Sequence, residues 1–351
     1  MTAIYEFKQK LKNIYGQFEI YILPVVKFAV ALVYFMWINE NMGYMSQVDN
    51  IFVVLILALI CSILPPTVTV VFGFVLMLLH CYSLGIDVAA FFLVMILVMA
   101  IFLLRFSASQ NIILALTPLS FSFNVPVLLP IGSGILGSGL SAIPAGCGVI
   151  VYYFIRFLYG NTQALANTEI EITERLKMLC DGLVLNWPMW ITLVAFVVVT
   201  LLVNLICSCS FDYSWRVAII AGGVAYVLVI LAGGFLFDVT VSMTPLITYS
   251  VLSVVIGVVL EFFVFGGDYS RTERLQFEDD EYYYYVKAVP KASVATSERS
   301  IKKITADTDS KQAEEYEEPA VQQEEQNAPV QKAAIEDVDF EKKLEESLKD
   351  L

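Results

Sequence analysis

Met189-Trp-Ile-Thr-Leu-Val-Ala-Phe-Val-Val-Val-Thr-Leu-Leu-Val-Asn-Leu-Ile206 runs for 18 residues without one charged side chain. A helix rises about 1.5 Å per residue, so this run is about 27 Å long, close to the ~30 Å hydrocarbon core of a bilayer. The stretch 88–104 is likewise uncharged over 17 residues. These two runs set the reading of the whole chain. Of its 351 residues, 58% are hydrophobic and 16% charged, with mean hydropathy +0.73. A soluble domain is about 45–50% apolar and about 25% charged. The net charge of −13 is also uneven: +2 over residues 1–17, −5 over 18–266 and −10 over 267–351. Only 17 charges fall in the 249 residues of the middle region. The expected fold class is therefore all-α, a polytopic transmembrane helix bundle with a largely disordered cytoplasmic tail.

This excludes several classes. The six cysteines lie in or beside apolar runs rather than on a spaced framework, which argues against a secreted disulfide scaffold. Beyond Lys8, Lys10 and Lys12 there is no basic patch, so nucleic acid is not an expected partner. The first apolar run is long for a signal core and is followed by Asn39-Glu-Asn-Met-Gly43 rather than a small-residue cleavage site.

The expected spans are 19–38, 51–64, 67–84, 88–104, 111–123, 126–138, 139–158, 189–206, 215–236 and 240–265, about ten, some short or broken. The 51–64 run stops at Pro65-Pro66, and the stretch 111–138 is interrupted at Pro118, Pro126 and Pro130. Such interruptions are tolerated at membrane depth where they are buried in protein or line a cavity, and they recur in transporters. The N-terminal lysines place residue 1 in the cytoplasm by the positive-inside rule. Ten crossings then put the tail in the cytoplasm, and nine put it outside. The acidic tail with Lys302-Lys303 favours ten, whereas Arg156, Arg175 and Lys177 favour nine. A re-entrant pair near 126–138 would change the count.

Five segments follow. Residues 1–17 place Ile4, Phe7, Leu11 and Tyr15 on one helical face between the lysines, which suits an interfacial amphipathic helix or an extra turn on the first span. Residues 18–266 form the bundle, in which 170–183 reads as an interfacial helix ahead of Trp187 and Trp190. Residues 267–292 are acidic and tyrosine-rich, and Tyr282–Tyr285 favours a short strand. Residues 293–332 have the composition of a disordered linker. In 333–351, Phe340, Leu344, Leu348 and Leu351 share a helical face suited to docking in a partner's groove, or to a marginal helix.

Motifs for chemistry are sparse. Gly132-Ser-Gly134-Ile-Leu-Gly137 matches G-x-G-x-x-G, but no soluble strand precedes it and no acid follows about 20 residues on, so close helix packing or a cavity-lining backbone explains it better. Gly139-Leu-Ser141 resembles the Gly-x-Ser of rhomboid intramembrane proteases, yet His80 is the one histidine and lies in another segment. Cys207-Ser-Cys209 is too little for a zinc site. No phosphate-binding loop occurs. The expectation is a non-enzyme without cofactor, drawing any energy from an ion gradient or a separate ATPase subunit. The candidate pathway or packing residues are Pro118, Asn124, Pro126, Pro130, Gly132, Gly134, Gly137, Ser141 and Pro144. Ionisable or amide groups inside a span are functional candidates by default, here Lys27, His80, Asn204 and Glu261. Lys27 and Glu261 would offset each other if the first and last spans met, and His80 reads as interfacial.

The segments Leu116-Thr-Pro-Leu119, Ile143-Pro-Ala-Gly-Cys-Gly-Val-Ile-Val-Tyr-Tyr153 and Glu278-Asp-Asp-Glu-Tyr-Tyr-Tyr-Tyr-Val-Lys-Ala-Val-Pro290 together resemble a family of uncharacterised integral membrane proteins of Gram-positive anaerobic bacteria, loosely labelled permeases. The resemblance implies a bacterial plasma membrane and carries over no catalytic or binding residue. The leading expectation is a permease-like or channel-like subunit moving a small solute, with 111–148 lining its pathway and lipid around it. The rival is a scaffold recruiting a cytoplasmic or envelope partner through its tail. An intramembrane enzyme stands third.

Overall fold

A computed structural model of the chain describes residues 2–103, 108–167, 170–209, 213–264, 273–278 and 282–288. The chain divides into two compact units, Met1–Ala295 and Thr296–Leu351. All described residues belong to the first, so the expected terminal helix with Phe340, Leu344, Leu348 and Leu351 lies outside them.

Twelve helices are described: α1 (Thr2–Met42), α2 (Ile51–Ile63), α3 (Pro66–Leu84), α4 (Ile86–Leu103), α5 (Ala108–Ser122), α6 (Leu128–Leu136), α7 (Ala142–Gly160), α8 (Thr162–Ala166), α9 (Ile172–Val184), α10 (Trp187–Cys207), α11 (Ser214–Leu236) and α12 (Met243–Val264). A 3-10 turn, Gly139–Ser141, leads into α7. Helix breaks follow local chemistry. Pro65 and Pro66 end α2 and start α3, where a missing N–H is harmless. Asn186 caps α10 by accepting from Met189 N at 3.2 Å. The long α1 bends at Phe18, whose φ −117° and ψ 20° leave the helical region.

Among the described residues six helices are long and apolar enough to cross a membrane: α1 from Phe7, α3, α7 with its 3-10 turn, α10, α11 and α12. Ile51–Ile63 and Ile86–Phe102 are shorter apolar helices. The sequence led us to expect about ten spans, and these lengths do not support that number. Four of the ten fall outside these six, on α2, α4, α5 and α6. At about 1.5 Å per residue, the nine residues of α6 cover only about 13 Å.

Contacts fix the heights. Lys27 and Pro24 of α1 mark the lower end: Lys27 Nζ donates to Leu64 O (3.4 Å) and Ser62 Oγ to Pro24 O (3.0 Å). The start of α5 is at the same level, with Asn111 Nδ2 3.5 Å from Thr67 Oγ1. The upper end holds Tyr44, which meets Thr162 at 3.2 Å and accepts from Ser83 through its carbonyl at 2.9 Å. Phe121, near the end of α5, stacks on Tyr152 (4.3 Å) and Phe196 (5.6 Å), which sit halfway along α7 and α10. So α5 reaches only mid-height before turning. Its partner α6 then runs back down, and Gln110 Nε2 meets Ser138 Oγ at 3.5 Å. The two helices form a helical hairpin within the bundle.

Two buried clusters fill the bundle. One joins α1–α4 to α5, α7 and α9, and the other joins α6 and α7 to α10–α12. A run of rings, Trp37, Tyr152, Phe121, Phe196 and Tyr226, passes from one to the other. Offset stacks of this kind add to the packing that must hold helices together in lipid, where no hydrophobic force acts between them. Beyond the bundle, β1 (Glu273–Glu278) and β2 (Tyr283–Ala288) pair antiparallel in the register Glu273↔Ala288 to Glu278↔Tyr283. The tyrosine-rich segment is thus the second strand of a hairpin.

Candidate functional site

The hairpin tip is built from backbone requirements. Asn124 has φ 59°, the left-handed conformation that asparagine tolerates better than most residues. Val125 N then bonds back to Ser120 O (2.9 Å) and Phe123 N to Leu119 O (3.0 Å), which closes the end of α5. Pro126 leads into α6, and Pro130 is its third residue, where a missing N–H removes no helical bond. Pro144 has the same position in α7. Pro118 is different, being inside α5. It deprives Leu114 O of a helical donor, and that carbonyl faces Gly148, where a Cβ would stand 2.8 Å from it. Close helix approach therefore occurs where a proline has already opened the ladder.

The three glycines of the 132–137 motif have three surroundings. A Cβ on Gly134 would lie 2.9 Å from Thr200 O and from Val203 Cβ, so α6 lies against α10 there. Asn204 Nδ2 donates to Gly134 O at 3.2 Å, supplying an end-of-helix carbonyl with a partner. Gly137 is pressed against Ser141 and Ser133 O. Gly132 has open space within 4 Å. That space is a cavity of about 740 Å³ between α1, α5 and α6, walled by Ala29, Val30, Ile113, Leu116, Leu128 and Gly132 among others, with Gln110, Ser120, Ser133 and Ser141 as its polar groups. A second cavity of about 690 Å³ lies above it, walled by Met36, Trp37, Glu40, Asn41, Ser122 and Tyr159. Val33, Leu119 and Phe123 line both. Together the two follow α1 from Ala29 to Asn41, past the re-entrant tip.

Of the sequence candidates, Gly132, Gly137 and Ser141 border the lower cavity. The intramembrane polar residues are elsewhere. Lys27 and Glu261 do not meet: Lys27 serves the end of α2, while Glu261 pairs with Arg216 at 3.2 Å across α11 and α12. The first and last helices do touch through Lys8, which donates to Phe262 O at 2.6 Å, and through Phe7 against Phe263. His80 is fully buried. Its Nδ1 accepts from Met45 N (3.2 Å) and its Nε2 meets Asn39 Oδ1 (3.1 Å), so it pins the connection between α1 and α2. In the same connection, burial raises the Tyr44 phenol above its usual pKa, with the Thr162 hydrogen bond working against that rise. Ser141 Oγ accepts from Ser138 N at 3.4 Å. Both ring nitrogens of His80 are thus engaged away from Ser141, and no serine–histidine pair forms. Among the described residues no group of three or more His, Cys, Asp or Glu could hold a metal ion.

Sequence reasoning missed Glu40, Trp37, Phe123 and Tyr159. The only available signal was spacing: Val33, Trp37 and Glu40 recur at i, i+4 and i+7 and so share one face of α1. It also missed the buried ion pair of Asp87 and Arg175, 3.2 Å apart between the α3–α4 corner and α9. No protein family matches this chain, and neither a curated protein nor a solved structure is significantly similar to it.

Proposed function

We propose that the protein is a permease-like or channel-like subunit of a cell membrane, and that its solute passes along α1 beside the α5–α6 hairpin. The observation that carries this reading is the pair of cavities stacked on one wall of α1, with the hairpin tip between them. Irregular backbone at membrane depth is tolerable where it lines a cavity, and half-length hairpins of this kind are a recurrent way to build one. In this reading the chain crosses eight times, by α1–α4, α7 and α10–α12, and the hairpin enters and leaves from the lower side. An even count agrees with the contact of Lys8 with Phe262, which keeps the chain's start and the end of α12 on one side. With the lysine-rich start in the cytoplasm, the tail is cytoplasmic as well.

Phe123 borders both cavities and is 62% exposed, so its ring is a plug held by few neighbours. Phe123→Ala is expected to raise passive flux of small solutes from proteoliposomes at least tenfold over the parent protein. Flux equal to the parent's would count against a pathway at this position.

The scaffold alternative rests on the tail. Affinity purification in mild detergent of the full chain, beside a version ending at Asp268, separates the two. An ATPase subunit retained by both fits a permease. Envelope or cytoplasmic partners lost on truncation fit a scaffold.

A further inference from the structure

We infer that the two-cavity path selects an organic cation, a solute with an apolar body and a positive charge; the inference rests on the permease reading and names its substrate class. Among the described residues, Glu40 is the single Asp, Glu, Lys or Arg side chain lining either cavity. It is exposed, and among the described residues no cation pairs with it. Around it stand the rings of Phe123 and Tyr159, 62% and 68% exposed, whose open faces attract a cation through the ring quadrupole. Below it the described residues that wall the lower cavity carry no charge of either sign and are chiefly aliphatic. A carboxylate and aromatic faces at the mouth, with apolar volume behind them, complement an apolar cation. They repel an anion of the same shape. A neutral apolar solute would use the lower cavity alone.

Tetraphenylphosphonium and tetraphenylborate have nearly the same size with opposite charge, and because the bilayer dipole potential favours the anion in lipid, binding of each is counted in excess of that to empty nanodiscs of the same lipid. Equilibrium binding to the full chain in lipid nanodiscs of neutral composition is expected to favour the cation by at least tenfold. Glu40→Gln should lower cation binding about tenfold and leave the anion unchanged, because the side chain is exposed and makes no hydrogen bond or ion pair with the described residues. Glu171→Gln, an exposed carboxylate at the start of α9, should leave both unchanged. Gly132→Leu, which places a side chain in the lower cavity, should weaken both ions. Equal binding of the two ions, cation binding unaffected by Glu40→Gln, or no binding of either would overturn the cation assignment. None of these outcomes bears on flux through Phe123→Ala, so the permease reading can survive the loss of this one.

Discussion

Arg175→Met is expected to lower stability by about 3–5 kcal/mol, because it leaves a carboxylate buried without its counter-charge. Asp87 is 3% exposed in its side chain and Arg175 11%, and the guanidinium Nε lies 3.2 Å from Oδ2. The same guanidinium donates to Leu165 O at 3.3 Å, so one side chain joins α9 to the start of α4 and to the end of α8. Neither the carboxylate oxygens nor Nε has a well-aligned hydrogen bond, so the pair is held by charge. Asp87 also lies in the first turn of α4, where the helix dipole favours an anion by about 0.3–2 kcal/mol. That is too little to replace Arg175. Asp87→Asn should be costly for the converse reason. The double variant Asp87→Asn with Arg175→Met should recover much of the loss, since removing both charges ends the desolvation penalty. Reversible unfolding in mixed micelles, followed by tryptophan fluorescence, measures all three. Losses that add to within about 0.5 kcal/mol would show that the two residues act independently.

The helices long and apolar enough to cross were legible because each is a long run with few charges, and that property needs no knowledge of neighbours. The run 189–206 became α10 (Trp187–Cys207), and 215–236 became α11 (Ser214–Leu236). Their ends differ by a residue or two where caps decide, as with Asn186 ahead of Pro188. The α5–α6 pair was not legible in this way. A 28-residue apolar stretch interrupted by proline has the same composition whether it crosses twice or turns halfway. The level that α5 reaches beside α7 and α10 is set by the stacking of Phe121 on Tyr152 and Phe196, a tertiary fact. Charges were legible as anomalies but not as pairs. Glu261 stood out in the last apolar run, yet its partner Arg216 is 45 residues earlier and follows a break. Glu40 was passed over because it sits at the end of a span, where an exposed acid is ordinary. Only the walls supplied by α5 and α7 give it a site.

The sharpest test of the packing lies in two glycines two positions apart, Gly132 and Gly134. Gly134→Leu is expected to cost at least about 3 kcal/mol, the upper part of the range for overpacking, and to release α6 from α10. A Cβ there would stand 2.9 Å from Thr200 O, and backbone of a 21-residue helix cannot withdraw as a side-chain tip could. The shift would also draw Gly134 O away from Asn204, worth about 0.6–1.7 kcal/mol for a hydrogen bond between membrane helices. Gly132→Leu adds the same atoms to the same helix, and by simple propensity it favours the helix by about 1 kcal/mol. Its Cβ would meet no atom within 4 Å and the rest of the side chain has the cavity to enter, so its stability should equal or exceed the parent's. Its consequence is functional instead: the added side chain occupies the 740 Å³ cavity. Unfolding midpoints for the two variants should therefore move in opposite directions, with solute flux lost in Gly132→Leu while its fold is kept. If both unfold alike, the hairpin does not have one face on α10 and the other on open space, and the path beside α1 loses its wall.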